Sequence, residues 1–229
     1  MPELATYARL DDAIGQVTID DGKANALSTA MQAAVHAALD QAEADEVVVV
    51  LTGREGKFSA GFDLRCPPEE WPAMLVGGAQ LAKRVLEFPR PVVAACNGHA
   101  IAMGAFLALS CDHRVGAEGD FKLGLNEVAI GMTVPWFGIE IARHRLTKPY
   151  FDRCMVTGLL MGPEEAQIAG ILDEVVAPGA VADRAAEVAR SLAGLDMKSH
   201  LATKLRVREQ VVAGVQDGID RILGEGREW

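Results

Sequence analysis

The sequence predicts an α/β fold in which buried parallel strands alternate with helices. Continuous runs of branched apolar residues at 47–52 and 92–96 are typical of strands buried on both faces. Residues 73–87, between these two runs, are predicted to be helical. Because parallel neighbours need a crossover connection, usually a helix, this order favours a layered α/β architecture with right-handed connections.

The remaining elements are predicted from local patterns. Alternating polarity at 7–10 and 14–19 predicts an N-terminal hairpin, and Ser28 fits the N-cap of a helix. Residues 53–61 are predicted to form a loop, and Asn97-Gly98 a turn that leads into a helix at about 104–110. The later predicted elements are short strands at 114–117 and 121–125, helices at 140–146, 149–157 and 163–169, a strand at 171–176, and helices from 180 onward. We therefore expect a core at residues 1–178 and a C-terminal helical region at residues 179–229.

The chain carries 22 basic and 32 acidic residues, which gives a formal net charge of −10 at neutral pH. A surface of this charge repels nucleic acid phosphates at long range, so no nucleic-acid partner is expected. An anionic ligand would have to be held locally, by main-chain amides, helix N-termini or a few basic side chains.

The four cysteines show neither CxxC nor zinc-ligand spacing, which favours buried free thiols in a reducing compartment. No HExxH, P-loop or GxGxxG motif indicates a metal or nucleotide site. Residues 1–15 are acidic and lack the apolar run of a signal peptide. The longest uncharged stretch, 91–110, contains Asn97 and His99, which is not typical of a membrane span. We therefore expect a cytoplasmic protein with no metal site and no membrane partner.

Two glycine-containing turns follow predicted strands, at the strand ends where ligands bind in open α/β folds. In the first, residues 58–64, the small residues and Gly61 let a ligand approach the main chain, with the amide of Phe62 facing a cleft. The second, residues 97–106, places a free amide at the start of a buried helix. Each segment alone is equally consistent with an ordinary loop or a strand-to-helix connection.

A third segment, residues 125–132, contains Glu127, the only carboxylate between Asp120 and Glu140. Its neighbours are apolar or small, so the side chain is either buried and functional or turned to solvent at a strand end. Burial would raise the pKa of Glu127, as a general base near neutral pH requires.

Taken in order, these segments resemble the enoyl-CoA hydratase/isomerase (crotonase) superfamily over residues 14–176. The resemblance rests on Asn25-Ala26-Leu27-Ser28, Phe58-Ser59-Ala60-Gly61-Phe62-Asp63-Leu64, residues 91–96 with Asn97-Gly98, Cys111-Asp112-His113-Arg114, and Asn126-Glu127 with Gly131. It implies a spiral of ββα turns, a C-terminal helical region used in assembly, and a homotrimer or dimer of trimers. It also implies an acyl-CoA thioester as substrate, with coenzyme A as part of the substrate and no separate cofactor.

The resemblance assigns roles residue by residue. The main-chain N–H groups of Phe62 and Met103 correspond to the oxyanion hole, and Glu127 to the catalytic carboxylate. The other residues that it places at the substrate are Lys23, Ala24, Ala60, Asp63, Leu64 and Phe106. This chain departs from the family in two ways, with methionine where most members have glycine at 103 and with a shorter loop at 23–24.

Family hydratases use two glutamates, and the first of these positions is occupied here by Phe106. A phenyl ring cannot activate water, which disfavours hydration. One carboxylate is enough to move a proton from C2 to C4, and the stretch 123–127 with Gly131 and Val134-Pro135-Trp136 is similar to the mitochondrial type of Δ3,Δ2-enoyl-CoA isomerase. The sequence therefore predicts an isomerase, with an enoyl-CoA hydratase and a non-catalytic acyl-CoA-binding or scaffold protein as alternatives.

Overall fold

The computed structural model describes residues 3–225 and has the α/β architecture predicted from the sequence. The strands are β1 (Ala5–Arg9), β2 (Ile14–Ile19), β3 (Val48–Gly53), β4 (Gly56–Ser59), β5 (Val92–Cys96), β6 (Gly98–Ile101), β7 (His113–Ala117), β8 (Leu123–Gly124), β9 (Leu160–Met161) and β10 (Glu174–Val176). The helices are α1 (Thr29–Ala44), α2 (Trp71–Glu87), α3 (Met103–Ser110), α4 (Trp136–Arg145), α5 (Lys148–Thr157), α6 (Pro163–Ala169), α7 (Val181–Ala193) and α8 (Met197–Glu225).

The larger sheet has the strand order β1-β2-β3-β5-β7-β10. The hairpin β1–β2 is antiparallel, as predicted, and every later pairing in this sheet is parallel. The central strands β3 and β5 are buried on both faces because helices cover each side, which explains their branched apolar sequences. The N-cap prediction at Ser28 is confirmed, since its hydroxyl accepts a hydrogen bond from the amide of Met31 at 3.2 Å.

A second, four-stranded sheet has the order β4-β6-β8-β9. The chain therefore advances in ββα units, with β3-β4-α2 followed by β5-β6-α3, and each unit contributes one strand to each sheet. This arrangement confirms the predicted ββα spiral. It also brings the start of α3 next to the end of β4, because β4 and β6 pair in parallel.

Two local predictions are wrong. Residues 53–61 are not a simple loop, since they contain β4, and Asn97-Gly98 does not turn directly into a helix, since β6 intervenes. Glycine at the start of each strand suggested a turn, but here it permits close backbone approach. A Cβ on Gly98 would lie 1.9 Å from the carbonyl carbon of Gly56. The two-residue strand β9 was also missed, because a segment so short has no periodicity.

The C-terminal helices pack against the rest of the chain. Helix α7 buries Val181, Ala185 and Ala189 against the outer face of the larger sheet. Helix α8 packs on α2 and α4 and is held by buried ion pairs from Lys204 and Arg208 to Asp112, at 2.8 and 3.0 Å. The division of the chain at residue 178 stays a prediction. No helix within residues 3–225 is both long and apolar enough to cross a membrane.

Candidate active site

The loop after β4 is held by a buried asparagine. The side-chain amide of Asn25 donates to the carbonyl oxygen of Phe58 at 3.2 Å, and the main-chain carbonyl oxygen of Asn25 accepts from the hydroxyl of Ser59 at 2.7 Å. The carbonyl of Gly61 in turn accepts from the amide of Leu27 at 2.8 Å. The loop is therefore fixed on one side, while the next amide, that of Phe62, donates to no protein acceptor within residues 3–225.

The second predicted donor lies at the N-terminus of the buried helix α3. Ala102, the N-cap, has φ 53° and ψ −125°, a conformation that alanine rarely adopts and that turns the following peptide. The amide of Met103 has no acceptor in the described part of the chain, as expected for the first residue of a helix. An N–H group at this end of a helix favours a developing negative charge.

Gly61 brings the two free amides close together. It has φ +90°, and a Cβ placed there would lie 3.1 Å from the amide nitrogen of Met103 and 2.8 Å from the Cβ of Ala102. The loop that ends in Phe62 therefore touches the first turn of α3 at the point where its amide is unpaired. This geometry needs glycine both for the positive φ and for the close contact.

We expect Gly61→Ala to lower turnover about 100-fold, because it would separate the two donors, and loss of one oxyanion donor typically costs about 100- to 1000-fold. Gly56→Ala is the matched control, since Gly56 also has positive φ, +72°, but nothing lies within 4 Å of its added Cβ. Steady-state kinetics of both variants measure the difference. Equal losses in the two variants would contradict a role for the Gly61 contact.

Glu127 follows the short strand β8 after Leu125 and Asn126 and is held by main-chain hydrogen bonds. Its carbonyl oxygen accepts from the amides of Ile130 at 3.1 Å and Met132 at 2.9 Å, in a 3-10 turn that Gly131 ends with φ +79°. The side chain is only 6% exposed, and its Oε2 atom has no hydrogen-bond partner within residues 3–225. A buried carboxylate oxygen without a partner is costly and indicates a functional site.

Burial raises the pKa of Glu127 to about 7, and a hydrogen bond from its own main-chain amide opposes this rise. No salt bridge reaches this carboxylate in the part of the chain that the structure describes. Such a group can accept a proton near neutral pH and release it again, because its two protonation states are close in free energy.

A pocket of about 210 Å³ joins the three segments. Its walls are formed by Ala60, Phe62, Leu64, Ile101, Ala102, Asn126, Glu127, Ile130 and Met132. A second, larger and mainly apolar pocket shares Met132 with it and extends past Val134 and Met155. Within residues 3–225, no group of three or more His, Cys, Asp or Glu side chains could hold a metal ion. The pocket thus combines one buried carboxylate with free main-chain donors at its edge.

The model of the enoyl-CoA hydratase/isomerase family matches residues 9–217 of this chain. The chain belongs to this family. Members of the family act on acyl-CoA thioesters, so this chain is an acyl-CoA enzyme of the hydratase/isomerase type.

Individual relatives of the family are similar over nearly the whole chain. A putative enoyl-CoA hydratase from Thermus thermophilus is 34% identical over 224 residues, which cover 92% of this chain and 85% of the relative. A Mycobacterium tuberculosis protein, described as an enoyl-CoA isomerase in one structure and as a probable enoyl-CoA hydratase in another, superposes in the first of these with a TM-score of 0.95 at 45% identity, covering 98% of this chain and 100% of that one. Human mitochondrial Δ3-Δ2-enoyl-CoA isomerase gives a TM-score of 0.87 at 25% identity, with coverage of 97% and 93%.

Only some of the catalytic and substrate-binding residues predicted from the family resemblance lie at this pocket. Ala60, Phe62, Leu64 and Glu127 line it, and Met103 follows the lining residue Ala102. Lys23 is exposed and lies outside the lining of the pocket. Ala24 adjoins the site indirectly, since its carbonyl accepts from the amide of Ala60 at 3.0 Å.

Two other predicted substrate residues have protein partners instead. Asp63 binds the guanidinium of Arg65 at 2.8 and 2.9 Å, which holds the pKa of that carboxyl below its usual range. Phe106 is 1% exposed, and its ring packs edge-on against Phe137 with centroids 6.1 Å apart. Phe106 therefore belongs to the apolar packing between α3 and α4 and does not line the pocket.

Sequence reasoning assigned no role to Asn126, although its side chain lines the pocket beside Glu127. The Oδ1 atom of Asn126 is buried and has no hydrogen-bond partner among the described residues. The only sequence signal was its position directly before the catalytic candidate. Ile101, Ile130 and Met132, the apolar lining, carry no signal that separates them from ordinary core residues.

Proposed function

We propose that this chain is a Δ3,Δ2-enoyl-CoA isomerase. The observation that carries the proposal is a single buried carboxylate, Glu127, in a pocket where two unpaired amides converge, while the position of the second family glutamate holds a packed phenyl ring. Hydration needs groups that position and activate water, whereas a double-bond shift needs one base that returns the proton it removes.

The reaction begins when the Glu127 carboxylate removes a proton from C2 of a 3-enoyl thioester. The electrons of the C–H bond delocalise over the double bond and the carbonyl, which gives a dienolate with its charge mainly on the thioester oxygen. Glu127, now a neutral acid, returns the proton to C4, and the double bond moves from C3–C4 to C2–C3. A carboxyl pKa of about 7 suits both half-reactions, because neither protonation state is strongly favoured.

The main-chain amides of Phe62 and Met103 would hold the thioester oxygen during this step. Preorganised donors of this kind stabilise a developing oxyanion by about 3–4 kcal/mol each. Because they are backbone groups fixed by the Gly61 contact, they need no reorganisation when the charge appears. The bulk of the methionine side chain at 103 leaves this function available, since it points into the buried core.

The apolar pocket beyond Met132 favours an uncharged alkyl chain on the acyl group. We propose that the chain runs past Met132, away from the thioester. Assembly as a homotrimer or dimer of trimers, coenzyme A recognition by Lys23 and Ala24, and residence in the cytoplasm stay predictions from the sequence.

Product analysis of the purified protein with 3-enoyl-CoA and 2-enoyl-CoA esters tests the proposal. We expect conversion of 3-enoyl to 2-enoyl esters, with little or no 3-hydroxyacyl product from the 2-enoyl esters. Hydration faster than isomerisation would contradict the proposal and identify the chain as a hydratase. Binding without either reaction, and without hydrogen exchange at C2, would leave a non-catalytic acyl-CoA-binding protein.

Position 106 is where family hydratases have a carboxyl group, but its side chain here turns toward Phe137. We expect Phe106→Glu to introduce measurable hydration of 2-enoyl-CoA by adopting a rotamer that reaches the pocket. The same change buries a charge beside Phe137 and should lower thermal stability. Phe106→Leu is the control, since it opens space without adding an acid or base. Hydration by both variants, or by neither, would show that the group at 106 does not decide between the two reactions.

A further inference from the structure

Helix α2 contains two adjacent glycines, Gly77 and Gly78, in its middle. Glycine inside a helix costs about 1 kcal/mol relative to alanine, so the pair, of which Gly78 is buried, needs a packing reason. The two glycines face different neighbours. A Cβ on Gly77 would meet the side-chain oxygen of the buried Gln32, whose amide nitrogen donates to the carbonyl oxygens of Leu27 and Met74. A Cβ on Gly78 would instead meet the ring of Phe62.

The contact at Gly78 is close and involves both oxyanion candidates. Its added Cβ would lie 2.5 and 2.6 Å from Cε1 and Cζ of Phe62, and 3.4 Å from Sδ of Met103. Real side chains essentially never approach this closely, so alanine at 78 would force the ring to move. The Phe62 ring also packs edge-on against Trp71 of the same helix, with centroids 6.4 Å apart, which limits where the ring can move.

Phe62 and Met103 thus each have two functions. Their main-chain amides are the unpaired donors beside the pocket, and their side chains meet in the space beside Gly78 of α2. Since Met103 is fully buried and Phe62 is half-buried, neither side chain can shift freely without moving its own backbone. The separation of the two amides is therefore coupled to the packing in this space.

We propose that Gly78 is a positioning residue for the oxyanion hole. Because Gly78 has no side chain, α2 leaves space for the side chains of Phe62 and Met103, and this packing sets the spacing of their amides. The proposal rests on the oxyanion hole of the proposed function. Gly78 has no contact with the substrate in this role. It acts through the two residues that do.

The test compares Gly78→Ala with Gly224→Ala, which makes the same change in helix propensity in α8, where nothing lies within 4 Å of the added Cβ. The readout is hydrogen exchange at C2 of a saturated acyl-CoA, since exchange needs the carboxylate and the oxyanion hole but neither isomerisation nor hydration. We expect Gly78→Ala to slow exchange at saturation ~10-fold or more, short of the ~100- to 1000-fold of complete donor loss. The half-saturating concentration should change less than about threefold, because ground-state binding is not affected. Gly224→Ala should stay within about threefold of the parent rate.

Removal of the clashing ring supplies the decisive control. In a Phe62→Ala background, which keeps the amide at 62, the Gly78→Ala change should alter exchange by less than about threefold, because the close contact is gone. An equal loss in both backgrounds would overturn the proposal, and so would a Gly78→Ala variant with the parent exchange rate. Thermal melting of all variants separates a general loss of stability from the specific loss of rate.

A smaller side chain at position 62 tests the same contact without introducing a steric clash. Phe62→Leu leaves the space beside Gly78 partly empty and should slow exchange at saturation about threefold or more. If Gly78→Ala does not fold, an unchanged exchange rate in Phe62→Leu still overturns the proposal. Failure of the proposed function is distinct, because it would appear in the parent chain as C2 exchange without isomerisation.

Discussion

Glu127→Gln is expected to lower isomerisation by about 100- to 10,000-fold, the usual contribution of a positioned acid–base group. The amide has the shape of the carboxyl group but cannot accept the C2 proton. Within residues 3–225, no other carboxylate lines the pocket, so none can take over the transfer. Acyl-CoA binding should persist, because the free amides of Phe62 and Met103 are unchanged.

Stopped assays with a 3-enoyl-CoA ester and equilibrium titration with a saturated acyl-CoA measure the two effects separately. Glu118→Gln is the matched control, because Glu118 is an exposed glutamate that follows β7 and lies outside the pocket. Turnover retained in Glu127→Gln would refute the single-carboxylate mechanism. Loss of acyl-CoA binding in that variant would instead assign Glu127 to substrate recognition.

The sequence predicts the large sheet well because the apolar composition of each strand directly indicates that the strand is buried. Val48–Gly53 and Val92–Cys96 are short, continuous apolar runs, and a strand covered by helices on both faces needs only that pattern. The small sheet was predicted poorly, with β4 assigned to a loop and β6 to a turn. Its strands have two to four residues, and their glycines reflect contacts between distant backbones, as between Gly56 and Gly98.

The candidate site follows a similar division. The resemblance located Glu127 and both amide positions, because these depend on motifs of adjacent residues. Side-chain direction depends instead on tertiary packing, and the sequence could not show that Phe106 turns toward Phe137 and away from the pocket. Gly78 lies sixteen residues from Phe62 in the chain and belongs to no motif, so its contact with that ring appears only in the folded structure.

The burial that raises the pKa of Glu127 should also make this side chain destabilising when it is charged. Burial raises its pKa from the usual 4.5 to about 7, so between these two pH values the folded chain binds more protons at this site than the unfolded chain. Stability contributed by a group of this kind is lost as pH rises, and the loss is complete above the folded pKa. The difference corresponds to about 3 kcal/mol of unfolding free energy, as an order of magnitude.

We therefore expect Glu127→Gln to be more stable than the parent by about 3 kcal/mol near pH 8, and by less than about 1 kcal/mol near pH 5. Isomerase activity of the parent should change in the opposite direction, rising through pH 7 as the carboxyl group loses its proton. Denaturant unfolding of the parent, Glu127→Gln and the Glu118→Gln control at both pH values, together with the pH profile of kcat/KM, measures the two quantities. A stability difference that is the same near pH 5 and pH 8 would show that the charge of Glu127 is not its source. An activity profile with no change near pH 7 would separate the titration of Glu127 from the reaction, because one proton at one buried oxygen is expected to control both.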